Sequence, residues 1–303
     1  MEELISKIKK IAKKKNAVIL SHVYQKPEVQ DIADFIGDSL GLSIEASKTN
    51  ADIIVFCGVN FMAETAKILS PNKKVLLPDT RANCPMADMI NKNQLLEEKK
   101  KYPNAVVVSY VNTTAEVKSV TDICCTSANA VKVCKSLKEK EIIFTPDMHL
   151  GAYVEKQTPE KTFHLWPGFC NTHARILPEH IEIARKNHPN AIVIAHPECR
   201  MAVLEKADFI GSTSQMQYFI NETKHEEIIV ATEIGIIHAF KKSMPNKKYY
   251  PAAGEHIVTC PTMKYSTLEK VLYVLETEEN EILLNEDTIK EAKKSVKAMI
   301  EII

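Results

Sequence analysis

The stretch "NAVILSHVYQK" at Asn16 returns as "NAVVVSYVNTT" at Asn104 and as "NAIVIAHPECR" at Asn190, at offsets of 88 and 86 residues. Self-similarity at a fixed period constrains a chain to build itself from copies of one supersecondary unit. Each copy opens on a β-branched strand (AVILS, AVVVS, AIVIA) and continues into a helix-like stretch (PEVQDIADFIG, TAEVKSVTDIC, RMAVLEKADFIG). A Ser/Thr-containing break and a second helical stretch follow. A second strand (ADIIVFCG, EIIFTPD, EEIIVATE), a third helix and a short third strand complete the copy.

Strands alternating with helices at this spacing predict parallel sheets joined by right-handed crossovers. The expected fold is α/β: three homologous three-layer α/β/α domains with short parallel sheets around a pseudo-threefold axis. The units are expected at 1–87, 88–173 and 174–284, with a C-terminal helix, 285–303, completing the first. Repeats of this kind could instead stack as a solenoid, but solenoid units are usually shorter and more numerous. The terminal segments "EELISKIKKIAKKK" and "EDTIKEAKKSVKAMIEII" read as amphipathic helices that pack on the outside.

Composition excludes several partners. Lys+Arg and Asp+Glu both number 39, so no basic field points to nucleic acid or an anionic membrane. No apolar run reaches the roughly 18–20 residues that span a bilayer, and the N-terminal stretch lacks a signal-peptide core, so a cytoplasmic location is expected. With only 8 glycines and no G-x-G-x-x-G or P-loop pattern, a dinucleotide or nucleotide fingerprint is missing. The 8 cysteines, in a reducing compartment, read as thiols or metal ligands rather than disulfides.

Three of those cysteines keep register. Cys84 lies 68 residues after Asn16, Cys170 lies 66 after Asn104 and Cys260 lies 70 after Asn190, each just beyond the third strand. Equivalent loops on a threefold axis can converge, and three converging thiolates need a cation to offset their charge. Soft metals or iron–sulfur clusters supply it. Zinc would ask for a fourth ligand, whereas a 4Fe–4S cluster on three cysteines leaves one iron open as a Lewis acid. The plain alternative is three unconnected buried thiols. Cys57, Cys124, Cys125, Cys134 and Cys199 lack the register: Cys57 and Cys134 read as core, the adjacent Cys124 and Cys125 do not both suit one metal, and Cys199, beside Glu198, could lie near the site but is read as packing.

A polar set keeps register too. Six residues after each asparagine stand His22, Tyr110 and His196; eight after stand Tyr24, Asn112 and Glu198. Both positions lie beyond the carboxyl end of a first strand, where open α/β sheets place ligands. At position 23 stand Ser39, Ser127 and Thr213, at the expected start of the second helix. Alone, each is an ordinary N-cap. Together they place three helix N-termini at one point, an anion site for carboxylates or a phosphate.

These residues carry a resemblance. "SHVYQKPEVQDIADFIGDSLGLS", "CGVNFMAETAKIL", "YVNTTAEVKSVTDICCTSANAV", "PDMHLGAYV", "HPECR", "GSTSQM" and "ATEIGIIHAF" make the chain similar, from about Ile19 to Lys270, to the quinolinate synthase family of de novo NAD biosynthesis. The resemblance implies three α/β domains around a pseudo-threefold axis and a 4Fe–4S cluster on Cys84, Cys170 and Cys260. It implies substrate contacts at His22, Ser39, Tyr110, Asn112, Ser127, His196, Glu198 and Thr213, with Tyr24 catalytic. The implied reaction condenses iminosuccinate (iminoaspartate) with dihydroxyacetone phosphate to quinolinate, releasing phosphate and two waters. An L-aspartate oxidase or dehydrogenase would supply the iminosuccinate. Longer relatives carry a C-x-x-C-x-x-C arrangement near the last ligand; Cys260 stands alone in "TCPTMKYST", which argues against a regulatory dithiol there.

Within that reaction, Glu198 and His196 are the expected acid–base pair, with Tyr24 acting through its phenol and His22 helping the three hydroxyls to hold carboxylates. Tyr110 and Asn112 would orient the condensed intermediate. Two competitors remain at this level. A diphthamide-type enzyme would cleave S-adenosylmethionine over a similar three-cysteine cluster, and a metal or redox sensor would need an output surface that no linker, tail or basic helix provides.

Overall fold

Twelve short strands form three separate four-stranded parallel sheets in the structure, a computed structural model that describes residues 1–302. In the first unit β1 (Ala17–His22), β2 (Phe35–Gly37), β3 (Ile53–Cys57) and β4 (Lys74–Leu76) assemble in the order β2-β1-β3-β4. The second unit repeats that order with β5 (Val106–Tyr110), β6 (Ile123–Cys125), β7 (Glu141–Thr145) and β8 (Thr162–Leu165). The third repeats it with β9 (Ile192–Ala195), β10 (Phe209–Ile210), β11 (Glu227–Ala231) and β12 (Lys248–Pro251). Every pairing is parallel. The central strands are apolar almost throughout because helices cover both faces; all five residues of β3 are buried.

Each unit has one strand more than the sequence suggested. The stretch read as a single helix divides into a short helix, Pro27–Ile32 in the first unit, and an edge strand of two or three residues. An aspartate marks the division in all three copies. Asp34, Asp122 and Asp208 each stand 18 residues after the register asparagine. Each accepts the backbone N–H of the neighbouring central strand, at Ile19 (2.8 Å), Val107 (2.8 Å) and Val193 (2.7 Å). The carboxylate supplies an acceptor to a strand amide that the short edge strand leaves unpaired. Of the three register asparagines, only Asn16 has a positive φ, 49°, which asparagine tolerates, and it turns helix Glu2–Lys14 into β1.

The units close into a ring. Eight residues after Cys84 and Cys170, helices Lys92–Lys101 and Pro178–Asn187 begin, and they pack on the sheets of the second and third units. Eight residues after Cys260, helix Leu268–Thr277 begins. It packs instead on the first unit, where Leu268, Val271 and Leu275 join Ile8, Ala12, Ile19 and Val55 in one buried cluster. A segment inside the stretch 174–284 is thereby spent on the first sheet.

The seams between units reuse one pair of register positions. Position 14 of the first unit, Gln30, donates to the carbonyl of Gly235, position 45 of the third. Position 14 of the second, Lys118, sets its ammonium 5.4 Å over the ring of Phe61, position 45 of the first. At the remaining seam, helix Met201–Leu204 meets helix Met148–Gln157. The C-terminal helix Glu286–Glu301, expected to complete the first unit, lies across the seam between the first and second, touching helices Asn60–Leu69 and Ala115–Lys118 and strand β6. Ser295 Oγ donates to Lys118 O at 2.8 Å, and Asn129 Nδ2 donates to Met299 O at 3.0 Å. Residue 303 of that expected segment lies outside the described residues. Among the described residues, no helix is long and apolar enough to cross a membrane.

Candidate active site and metal centre

The carboxyl ends of all three sheets open on one cavity. All twelve residues singled out from the sequence line it: the register sets His22/Tyr110/His196, Tyr24/Asn112/Glu198, Ser39/Ser127/Thr213 and Cys84/Cys170/Cys260. No Lys or Arg is among the lining residues.

The hydroxyl set is placed differently from expectation. The N-cap of helix Ser39–Lys48 is Asp38, which accepts from Gly41 N at 2.8 Å, and the N-cap of helix Thr213–Glu222 is Ser212, which forms a capping box with Gln215. Ser39 and Thr213 are therefore the first helical residues, and their hydroxyls are not spent on capping. In the second unit the helix starts later, at Ala130, so Ser127 lies in the turn before it. There Ser127 Oγ meets His196 Nε2 at 3.1 Å.

Two histidines share one local motif. His22 Nδ1 accepts from Tyr24 N at 3.1 Å, and His196 Nδ1 accepts from Glu198 N at 3.3 Å. An accepting Nδ1 leaves the ring proton on Nε2, so both rings present N–H donors. Burial, then the nearby charges of Lys264 and His196, push the His22 pKa down to about 3 against a weaker upward pull from Glu198. Burial lowers His196 as well.

Protonating His22 costs the fold its Tyr24 N–H bond. The unfolded chain, with a histidine near 6.5, takes up that proton first, so the contribution of neutral His22 is present above pH 6.5 and lost as pH falls toward 3. Metal-free protein is expected to lose on the order of 2 kcal/mol from this residue between pH 6.5 and 4.5. Denaturant midpoints at the two pH values check this. His22→Asn, which keeps an acceptor for the Tyr24 amide but does not titrate, should show the shallower dependence; equal slopes would remove His22 as the source.

Sequence reasoning missed two residues in the centre of the site. His173 Nδ1 lies 2.8 Å from Glu198 Oε2, and His173 Nε2 lies 2.8 Å from Thr232 Oγ1. Thr232 Oγ1 in turn lies 2.6 Å from the Tyr24 hydroxyl. One consistent set of donors connects them: phenol to threonine, threonine to Nε2, Nδ1–H to carboxylate. Burial raises the Glu198 carboxyl, but the His173 and His196 rings outweigh it and hold the pKa below the usual range. Burial, then Glu198, pushes the Tyr24 phenol well above its ordinary value. Neither missed residue has a like counterpart in the other copies: counted from the register cysteines, Ala87 and Met263 match His173, and counted from the asparagines, Gly58 and Pro146 match Thr232. The only signal was the short spacing in "CNTHA", a histidine three residues after a register cysteine.

The three register thiols stand between this cavity and a second, open depression that carries Arg175 and Arg200. Burial raises the Cys84 pKa to about 12, and burial, then Glu198 and Cys84, hold the Cys170 thiol well above its ordinary value. As bare thiolates they would repel, so the set fits a cationic centre that deprotonates them. Polar groups beside two of the sulfurs fit the same purpose: His173 Nδ1 lies 3.1 Å from Cys170 Sγ, and Thr262 Oγ1 lies 3.5 Å from Cys260 Sγ. Hydrogen bonds to sulfur are a common feature of iron–sulfur sites.

A different donor set is also close. Cys170, His173 and Glu198 have ligand atoms within 4.8 Å of one another. His173 and Glu198 are already engaged with each other in the relay, which argues against their use as ligands. Two acceptors, Glu198 Oε1 and Asn112 Oδ1, are buried without a partner. In an enzyme site such atoms call for a donor from the substrate.

The remaining five cysteines are packed away. Cys57 belongs to the cluster under the first sheet, Cys124, Cys125 and Cys134 to the main core, and Cys199 to the third unit's core with Sγ facing Ala231 O at 3.4 Å.

A ring of three α/β units around one cavity, lined by hydrogen-bonded acid–base groups and by one thiol from each unit, defines the class: an enzyme whose site is assembled jointly by three homologous domains. Comparison with known families narrows it. The family described as Quinolinate synthetase A protein (NadA) matches residues 6–301, and the chain belongs to that family. It is 52% identical over 301 residues to the quinolinate synthase of Sulfurihydrogenibium sp. (strain YO3AOP1), covering 98% of both chains. It is 51% identical to that of Alkaliphilus metalliredigens (strain QYMF), covering 99% of this chain and 98% of the relative. The figure for Aquifex aeolicus (strain VF5) is 49%, covering 100% and 95%.

Proposed function

We propose that the chain condenses iminosuccinate with dihydroxyacetone phosphate to give quinolinate, phosphate and two waters. The observation that carries the reading is that the register thiols and the relay ending on Tyr24 open on the same cavity. Cys84, Cys170 and Cys260 would hold a 4Fe–4S cluster. When bound, that group supplies a Lewis acid for loss of a hydroxyl during dehydration.

The chain's own groups account for the rest. The hydroxyls of Ser39 and Thr213, the amides at the starts of their helices, and the Nε2–H of His22 suit carboxylates, which must be bound without a lining Lys or Arg. Tyr110 and Ser127 form a polar edge beside them. Phosphate loss and ring closure require protons to move next to a carbonyl. Tyr24 can give up its proton through Thr232 to His173 Nε2, and the imidazolium so formed is stabilised by Glu198 at Nδ1. His196, stacked on His173 at 4.8 Å between centroids, offers a second donor. Glu198 Oε1 and Asn112 Oδ1 accept from the hydroxyl or nitrogen of the bound intermediate. An enzyme that oxidises L-aspartate must feed the site, because iminosuccinate hydrolyses readily.

Anaerobic reconstitution tests this reading. The protein should turn brown with about four irons per chain and form quinolinate from dihydroxyacetone phosphate and iminosuccinate generated in place. A colourless zinc protein, or cleavage of S-adenosylmethionine in place of quinolinate formation, would overturn it.

A further inference from the structure

The seam between the first and third units carries an ion pair outside the relay. Glu233 is almost fully buried, and Lys264 meets its Oε1 at 2.9 Å. The same oxygen accepts the backbone N–H of Cys260 at 3.0 Å, and Oε2 accepts the N–H of Gly235 at 2.7 Å. Across the seam, Lys264 Nζ also donates to the backbone carbonyl of Tyr24. Gly235 lets the loops meet, since a Cβ there would stand 2.7 Å from the Tyr24 carbonyl carbon and oxygen. Gln30 Nε2 fastens the same place, bonding Val23 O, Gln25 O and Gly235 O.

An ion pair used only as a staple would need no common atom between a ligand loop and a catalytic loop. Here one carboxylate oxygen joins the Cys260 amide to the Lys264 ammonium, and that ammonium continues to Tyr24. From this we infer that Glu233 and Lys264 are positioning residues that couple the Cys260 loop to the Tyr24 loop, so that fixing the cysteine in a metal centre fixes the phenol against Thr232. The inference rests on Cys260 being a cluster ligand, as proposed above. Register supports the role of Glu233: at the matching position of the second unit, Asp147 is also a buried carboxylate. Only Glu233 has a lysine that carries the connection onward; in the first unit the position is Val59. Lys264 does not touch the cavity, so its effect is indirect.

Amide exchange at residues 22–26 of the full chain, measured before and after anaerobic iron–sulfide loading, tests the coupling. Loading of the wild-type protein should slow these amides at least about tenfold. In Lys264→Met and in Glu233→Gln, with iron content retained, that slowing should disappear. Turnover should fall roughly 10–100-fold, a usual cost of losing a group that supports a metal ligand, with KM within about threefold. Lys264→Arg, which keeps the cation, should recover part of it. Should one variant fail to fold, the other and the wild-type comparison still decide.

Wild-type protein that takes up its iron without any change at 22–26 overturns the coupling and leaves the cluster reading intact. Loaded variants that keep the slowing also overturn it. Wild-type protein that takes up no iron overturns the cluster reading, and the coupling with it.

Discussion

Cys84→Ser is expected to remove iron and quinolinate formation together, with turnover lowered by more than about a thousandfold because the Lewis acid is lost with its site. The choice of Cys84 is deliberate. It lies in the first unit, whereas the close set Cys170, His173 and Glu198 comes from the second and third. A metal held by that smaller set would survive the loss of Cys84, and a cluster shared by the three register cysteines would not. Serine offers a hard oxygen with a high pKa in a buried place, so it does not replace a thiolate for iron. Cys199→Ser serves as the control, because its sulfur packs in the third unit's core beside a carbonyl and lines neither cavity. Iron analysis and absorbance after anaerobic loading, with quinolinate measured by chromatography, read both outcomes. Full iron content in Cys84→Ser would end the three-cysteine assignment.

Glu198→Gln separates the two halves of the site in the opposite way. Turnover should fall about 10²–10⁴-fold, the usual contribution of a positioned acid–base group, while iron content stays at the wild-type level. The carboxylate is the end of the relay: it orders His173 through Nδ1 at 2.8 Å and faces His196 Nδ1 at 3.4 Å. A glutamine side chain keeps the shape but loses the charge that stabilises an imidazolium, and its NH₂ placed against Nδ1–H would turn the ring or reverse its tautomer. Tyr24 would then have nowhere to send its proton. Near-wild-type turnover in this variant would remove Glu198 from the relay, and iron loss would make it a ligand instead.

The two halves were unequally legible in the sequence. Residues at equivalent places in each copy announce themselves through register, and the thiols and the strand-end pairs are legible in that way. The aspartates at position 18 follow the same logic, and reading "ADFIG", "TDICC" and "ADFIG" against one another could have revealed them. His173 and Thr232 could not be found this way, because each occurs in one copy and acquires its role only when the second and third units meet the first. The edge strands escaped for another reason. Two or three residues are too few to display a period of two, and the helix before them masks the change. The capping residues were displaced by one because Asp38 and Ser212 are as good at the task as the Ser39 and Thr213 beside them.

The ring closed by helix Leu268–Thr277 has an evolutionary corollary. A segment written three times stores its folding instructions in triplicate, as the repeated aspartate bond shows, while the strand-end residues differ from copy to copy. A trimer of one such segment would have three identical corners; in a single polypeptide, histidine, tyrosine and glutamate can stand at corresponding corners of the shared framework. Specialisation of this kind is open to a fused chain and closed to a symmetric homotrimer, whose every edit appears three times.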